Sequence, residues 1–213
     1  MLLALLPIAL GLAAGLARGG SVGNLGRLRL NGTWLAFTAL ALQAGTGLAI
    51  RLLPGIRPHG LLLVAGSYLL VIAFVVRNRR LPGAVLVALG LALNLVVIVG
   101  NGAMPVSRAA AEAAGLRSAG ELDASVKHRL MDPGTRLRFL GDVIPLPVFR
   151  RVVSIGDAVL AAGLFVLVER TTSYRPRRVG SPDVVAPDSS DSPSRHEADD
   201  PAPPDDLPGG EAG

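Results

Sequence analysis

Five long apolar blocks dominate this sequence and restrict what it can fold into. Each is 16 to 19 residues long and continuously apolar, without the alternation of a half-buried strand. They are Leu2–Ala17, Thr33–Ile50, Leu61–Val76, Leu81–Val99 and Val152–Val168. A bilayer core about 30 Å thick needs roughly 20 helical residues, with about 17 as the lower limit. The blocks therefore predict an all-α polytopic membrane bundle of about five transmembrane helices, the shorter ones borrowing flanking residues.

Charge placement predicts how these helices are oriented. The first block is expected to be a retained span rather than a cleaved signal peptide, because its first positive charge, Arg18, follows the apolar run. Further basic residues follow the third and fifth blocks, within residues 77–80 and 170–178. Cytoplasmic ends of spans are rich in Lys and Arg, so we expect the N-terminus outside and the C-terminus in the cytoplasm. The Arg-rich, Ala- and Gly-rich composition suggests a bacterial inner (cell) membrane as the location.

Four segments are expected along the chain. Residues 1–100 would hold transmembrane helices 1–4, residues 101–151 an ordered extracytoplasmic cap, and residues 152–174 the fifth helix. Residues 175–213 would form a disordered tail, since from residue 179 the chain carries nine acidic residues, one basic residue and many Pro and Ser. The basic residues elsewhere lie between apolar blocks, where membrane orientation explains them. We therefore expect the lipid bilayer as a partner, and no nucleic acid.

Small residues recur every four positions on the first and fourth blocks. They are Gly11, Gly15, Gly19, Ala84, Ala88 and Ala92. This spacing lets helix backbones approach closely in a membrane, although a chain rich in Ala and Gly also produces it by chance. Such contacts could lie within one bundle, in a homo-oligomer, or against another membrane protein.

The long loop after the fourth block has its own local signals. Pro105 ends any helix there, and Ser107–Ala114 predicts a short helix that stops at Gly115. A second short helix is predicted over Leu122–Met131. The apolar stretch Thr135–Pro147 is expected to be extended and to lie on the bilayer or over the mouth of the bundle, so the loop is predicted to be an ordered cap.

Asp157 is the carboxylate that lies clearly inside an apolar block. In one interpretation the helix starts near Val152, and Asp157 is buried in the bilayer, where it needs a partner or a water-filled pocket. In the other, Ser154-Ile-Gly-Asp157 is a capping box, the helix starts at Ile155, and Asp157 occupies its third position. The capping box is preferred here, and both interpretations can hold together. Asn94 and Gln43 are the other polar groups, either in interhelical hydrogen bonds or on a polar path.

A polar mouth is expected at the outer face, where Asn101, His128, Asp142 and Asp157 could converge beside Asn94. Asp142 and Asp157 resemble a carboxylate pair for acid/base chemistry, but neither has the sequence setting of an intramembrane aspartyl protease. A turn held by Asp142, a ligand or ion site, and a hydrolase all remain open, the turn being preferred.

Four short motifs resemble one known family. They are Asn101-Gly-x-Met-Pro-Val-Ser107, Lys127-His128-x-Leu130, Phe139-Leu-Gly-Asp-Val-Ile-Pro-Leu-Pro147 and Ser154-Ile-Gly-Asp157. Together they resemble an uncharacterised family of bacterial integral membrane proteins, domain of unknown function 5317 (DUF5317). The resemblance covers roughly residues 1–170. It implies the membrane architecture and supplies no mechanism.

Few enzyme classes are compatible with the remaining residues. The chain has no cysteine, and its three histidines, His59, His128 and His196, lie in separate segments without metal-ligand spacing. Neither a phosphate-binding loop nor a nucleophilic serine motif occurs. We expect no metal and no cofactor, and an enzyme is the less favoured class. The preferred hypothesis is a membrane protein that binds a protein or lipid partner; the alternative is a small transporter using Asn94 and Asp157, and a hydrolase is third.

Overall fold

The computed structural model describes residues 2–52, 59–116 and 128–174, and it is mostly helical. The helices are α1 (Leu2–Ala17), α2 (Thr33–Leu52), α3 (Gly60–Arg77), α4 (Ala84–Asn101), α5 (Arg108–Ala113) and α6 (Ile155–Ser173). The strands are β1 (Met104–Val106), β2 (His128–Leu130), β3 (Asp142–Leu146) and β4 (Arg151–Ser154). Short 3-10 turns occupy Val22–Arg27, Arg138–Leu140 and Pro147–Phe149. Each of the five apolar blocks is therefore a helix, as predicted.

The five long helices pack in the spatial order α2, α3, α4, α6, α1. Buried apolar side chains fill the space between α3 and α4, with one group near the strands and a second near the opposite ends of the helices. The first group is Val64, Val97, Ile98 and Met104, and the second is Val75, Ala84, Val87 and Leu91. Helix α6 lies between α4 and α1, so it has a packed neighbour on two sides.

Two helices of the described part, α3 and α4, are long and apolar enough to cross a membrane. Helix α1 has a shorter described apolar stretch, Leu5–Ala17. Helix α6 includes Asp157, Glu169 and Arg170, which lower its apolar character. These helices support membrane association at the level of two candidate spans, and the predicted five-span bundle is not supported by length and composition.

Glycines set the close approach of α4 and α6. A Cβ atom at Gly90 would lie 2.5 Å from the carbonyl oxygen of Gly156, and one at Gly163 would lie 2.6 Å from the amide nitrogen of Val87. Gly83, seven residues before Gly90, faces Gly163 in the same way. The two antiparallel helices thus touch through their backbones at glycines seven residues apart, which larger side chains would prevent.

The predicted close contact of α1 is confirmed at two of its glycines. A Cβ atom at Gly11 would lie 2.7 Å from the carbonyl oxygen of Phe165, and one at Gly15 would lie 2.6 Å from Cβ of Thr172. Gly19 instead adopts a positive φ of 75° in the turn after α1. The stripe of small residues therefore serves contact with α6 within the same chain.

The all-α prediction is confirmed only in part: the described residues are mostly helical, but a four-stranded mixed sheet follows α4. Its strand order is β2-β1-β3-β4, with β1 parallel to β2 and β3, and β3 antiparallel to β4. The strands have three to five residues, too few for an alternating pattern to show in the sequence. Proline cannot donate a backbone hydrogen bond to a neighbouring strand. Pro145 is tolerated in β3 because β1 pairs with β3 only at Val106 and Asp142, so Pro145 has no partner on β1.

Local predictions for the cap had mixed outcomes. The helix after Ser107 is confirmed as α5, with Ser107 as its N-cap and Gly115 at a positive φ of 77°. The helix predicted over Leu122–Met131 is wrong where it is described, since His128–Leu130 is β2; a three-residue strand carries too little pattern to oppose that reading. Residues 117–127 and the predicted disordered tail, 175–213, lie outside the described residues.

Candidate functional site

The start of α6 is organised by Ser154 and Asp157. Ser154 is the N-cap, and its Oγ accepts a hydrogen bond from the backbone N–H of Asp157 at 2.9 Å. The Asp157 carboxylate accepts in return from the backbone N–H of Ser154 at 3.3 Å, which completes a capping box. These two bonds satisfy N–H groups that a helix start leaves unpaired, and they place a negative charge at the positive end of the helix dipole.

Asn94 joins this capping box to α4. Its Nδ2 donates to Asp157 Oδ1 at 2.7 Å, and Ser154 Oγ donates to Asn94 Oδ1 at 2.9 Å. Asn94 is 4% exposed and Ser154 is fully buried. The contact requires Gly156, because a Cβ atom there would lie 2.0 Å from Asn94 Oδ1. Three polar side chains from two helices thus satisfy one another, and both oxygens of Asp157 are engaged.

Asp142 lies beside this cluster, on the sheet. Asp142 is the first residue of β3, and it pairs with Ser154, the last residue of the neighbouring strand β4. The side chain is buried, and His128 Nε2 on β2 lies 3.6 Å from Asp142 Oδ2, longer than a hydrogen bond. Burial, followed by the negative charge of Asp157, raises the pKa of Asp142 to about 8. Asp142 is therefore mainly protonated and neutral at pH 7.

Asn101, the remaining residue of the predicted polar mouth, makes its contacts with a different part of the chain. Its Nδ2 donates to the carbonyl oxygens of Val97 and Arg136 at 2.9 and 3.0 Å, and its Oδ1 accepts from the backbone N–H of Arg136 at 2.8 Å. Asn101 thereby ties the loop before β3 to the end of α4. The structure brings Asn94, Asp157, Asp142 and His128 into one neighbourhood, and it gives Asn101 a separate loop contact.

The chemistry of this neighbourhood centres on Asp142. Its carboxyl is buried, and burial followed by the charge of Asp157 raises its pKa, which favours the protonated form at neutral pH. Asp157 differs from a free nucleophile or base, since both of its oxygens accept hydrogen bonds from the protein. Across residues 2–52, 59–116 and 128–174, no group of three or more His, Cys, Asp or Glu side chains is arranged to hold a metal ion.

A second polar cluster lies at the opposite end of α6 and was not predicted. Glu169 is 4% exposed; its carboxylate pairs with Arg18 from the end of α1, and it also accepts from Ser173 Oγ at 3.0 Å. Arg170 Nε lies 3.4 Å from the same carboxylate. The sequence contained a signal for it: a helix that starts at Ile155 must continue past Val168 to cross a bilayer, and Glu169 then falls inside the helix.

The fold and site together define a class of protein: a row of apolar helices with a small mixed sheet at one end, where the buried Asp142 and the half-buried Asp157 lie at the junction. The model of a family of unknown function, DUF5317, matches residues 27–169. The chain belongs to this family, as its four motifs indicated. No curated protein and no solved structure matches the chain.

Proposed function

We propose that this protein is a multi-pass protein of the bacterial cell membrane that binds a partner through its outer cap. All five long helices would cross the bilayer, with the N-terminus outside and the C-terminus in the cytoplasm. The observation that carries the membrane assignment is the row of exposed apolar side chains on α3. Leu62, Leu69 and Val76 recur every seven residues along one face, and the first two are 68% and 57% exposed. Lipid tails would cover this row.

Similar faces occur on the neighbouring helices. Val85, Val96 and Val99 are exposed on α4, and Trp34 and Phe37 are exposed at the start of α2. A soluble monomer rarely exposes continuous apolar surface on this scale. Trp34 also suits the headgroup region, where indole rings are enriched at the ends of spans. These faces support crossing by α2, α3 and α4, while α1 and α6 would be covered by lipid on the sides that their packed neighbours leave open.

The cap offers accessible surface for a partner. A cavity of about 460 Å³ lies between the end of α5 and the turn after β3, with Glu112 and Arg150 on its walls. Val148, in that turn, is 90% exposed. An exposed valine beside a cavity with charged walls is typical of a surface that binds a protein segment or a lipid headgroup. By contrast, Asn94 and Asp157 are occupied in capping α6.

A transporter is the second candidate, and Asp142 is the observation that favours it. A buried carboxyl whose raised pKa of about 8 lies near neutral pH could exchange a proton with a ligand. Such a path would use Asp142 and Asp157 at the cap junction. A hydrolase is less favoured, since Asp157 holds two protein hydrogen bonds and would have to release them to act on a substrate.

Cysteine labelling in intact cells tests the proposed orientation. The chain has no cysteine, so any labelling of the protein by a maleimide comes from the single cysteine that is introduced. We expect Val148→Cys to react with a membrane-impermeant maleimide in intact cells. Gly26→Cys, in the loop after α1 and with no atom within 4 Å of its added Cβ, should react only after lysis. Labelling of Gly26→Cys in intact cells, or protection of Val148→Cys, would contradict the orientation.

Photo-crosslinking tests partner binding at the cap. A photoreactive side chain at Val148 should give a discrete protein or lipid adduct in cells, whereas the same group at Gly26 should not give that adduct. Equal adducts at Val148 and Gly26 would refute a binding role for the cap. So would the absence of any adduct at Val148 and at a second probe position, Glu112, in the wall of the cavity.

A further inference from the structure

Four arginines surround a cavity at the end of the bundle opposite the sheet. Arg29 comes from the loop before α2, Arg77 ends α3, and Arg79 and Arg80 lie in the turn to α4. The cavity measures about 320 Å³, and Asn31, Asn78 and Leu81 complete its lining. We call this feature the arginine pocket. In the orientation proposed above, it lies at the cytoplasmic surface of the membrane.

The walls of the pocket are held together by Asn78. Its side-chain Oδ1 accepts from the backbone N–H of Asn31 at 2.9 Å, and its Nδ2 donates to the carbonyl oxygen of Asn31 at 2.9 Å. The same Nδ2 also donates to the carbonyl oxygen of Phe74 at 2.7 Å. Asn78 is buried, so these bonds fix the loop that carries Arg29 to the end of α3.

Gly32 positions Arg77 within this wall. A Cβ atom at Gly32 would lie 3.0 Å from Cδ of Arg77, so the arginine stem passes directly over the glycine. Gly32 has a positive φ of 72°, a conformation that glycine adopts without strain. Both observations indicate a wall that is shaped before any ligand binds.

The positive charges of the pocket are not neutralised within the described protein. None of the four arginines forms an ion pair with a described carboxylate, whereas Arg18 at the same end of the bundle pairs with Glu169. Four guanidinium groups around one cavity repel one another, and an anion with several oxygens would remove that repulsion. Guanidinium groups bind phosphate oxygens in a bidentate manner, which makes phosphate the anion that this set fits well.

We propose that the arginine pocket binds the phosphate group of an anionic ligand. The shared chemistry is a phosphate ester or free phosphate. An anionic lipid headgroup is the source that the surroundings favour, because the exposed Val76, next to Arg77, continues the apolar face of α3 where an acyl chain would lie. The lipid source rests on the proposed membrane function, whereas binding of the phosphate group does not.

The test compares two double variants of the full-length protein, purified in an uncharged detergent. Arg29→Gln/Arg80→Gln removes two pocket arginines. Arg27→Gln/Arg108→Gln removes two exposed arginines outside the pocket and has the same net charge. Native mass spectrometry measures binding of phosphatidylglycerol, with diacylglycerol as a lipid that lacks phosphate. Equilibrium dialysis measures binding of inorganic phosphate.

We expect the pocket variant to bind phosphatidylglycerol about 25-fold more weakly, at about five-fold per arginine, and the control to change by less than about two-fold. Competition by inorganic phosphate at similar affinity would support the pocket and assign it to free phosphate. Preference for the lipid would support the pocket and assign it to a headgroup. Equal losses in the two variants, or equal wild-type binding of diacylglycerol, would overturn the proposal.

This measurement is independent of topology. If cysteine labelling reverses the orientation and the pocket variant still loses phosphate binding, the proposed function fails and the phosphate site stands. If the orientation holds and both variants bind alike, the phosphate site fails and the proposed function stands.

Discussion

The contact between α4 and α6 makes a sharp prediction at Gly90. A methyl group there would lie 2.5 Å from the carbonyl oxygen of Gly156 and 2.6 Å from the amide nitrogen of Leu160. Both are backbone atoms of α6, so a side-chain rotation cannot relieve the clash. The helices would have to separate until these contacts reach the 3.4 Å at which ordinary van der Waals contact begins. Gly90→Ala therefore tests whether backbone contact holds the bundle together.

The magnitude follows from three contributions. Overpacking of a well-filled interior costs about 1 to 3 kcal/mol, and two backbone clashes place Gly90→Ala at the upper part of that range. Separation also disturbs the hydrogen bonds of Asn94, one turn along α4, at about 0.6 kcal/mol each. Replacing a helical glycine by alanine returns about 1 kcal/mol. We expect a net loss of about 2 to 3 kcal/mol.

Gly100→Ala is the matched control, because Gly100 lies on the same helix and no atom is within 4 Å of its added Cβ. It keeps the gain in helix propensity without a clash, so its stability should be unchanged or higher by up to about 1 kcal/mol. Unfolding of the purified proteins by SDS titration, followed by circular dichroism, measures both changes. If Gly90→Ala is as stable as Gly100→Ala, the backbone contact described here does not stabilise the bundle.

Three further substitutions test the polar clusters. Asp142→Asn should remove a pH dependence: the folded pKa of about 8 exceeds the ordinary 3.8, so wild-type stability should fall from pH 4 to 8 and level off above, while the melting temperature of the variant stays flat. An equally steep fall in the variant would assign the dependence to another group. Ser154→Ala should cost about 1 to 2 kcal/mol in the same unfolding titration, since it removes the N-cap and one partner of Asn94; a neutral result would contradict the capping role. Arg18→Gln should destabilise the protein, because it leaves buried Glu169 without its partner on α1, and Arg18→Lys should recover part of the loss; if Gln and Lys variants melt alike, the ion pair is not the cause.

Helix positions were predictable from the sequence because each helix is a continuous apolar block. Only the ends needed local chemistry. Ser154 and Asp157 indicated a start at Ile155 rather than Val152, and α6 does begin at Ile155. The fourth helix begins at Ala84 instead of Leu81, since Gly83 at its N-cap has a positive φ of 80° and belongs to the turn.

The sheet could not be predicted from periodicity, although the four motifs lie on its strands. β1 falls within the motif that starts at Asn101, and β2 overlaps the motif that contains His128. β3 falls within the motif that starts at Phe139, and β4 ends at Ser154, the first residue of the fourth motif. Each strand is too short to show which of its faces is buried. Which strands pair is decided by hydrogen bonds between segments that are distant in the chain, and a single sequence does not reveal these pairings.

The neighbours of Asp157 were also only partly predictable. Asn94 and Asp157 were both recognised as polar residues in apolar helices, but hydropathy does not indicate which turns of two helices face each other. The glycines do contain that information. Gly83, at the N-cap of α4, and Gly90 within it match Gly163 and Gly156 on the antiparallel α6, and that match places Asn94 opposite the start of α6.

These contacts explain why α6 needs polar residues at both ends. In the proposed membrane setting, lipid gives little preference for one axial position of an apolar helix over another, so glycine contacts alone would tolerate a slip by one turn. Asp157 binds Asn94 at one end, and Glu169 pairs with Arg18 at the other, about 18 Å away along the helix axis. A slip of one turn would break both polar contacts and leave each carboxylate without its partner on the neighbouring helix, a cost that adds to the lost glycine contacts. We infer that the two carboxylates set the register of α6, and through it the position of the sheet above α4.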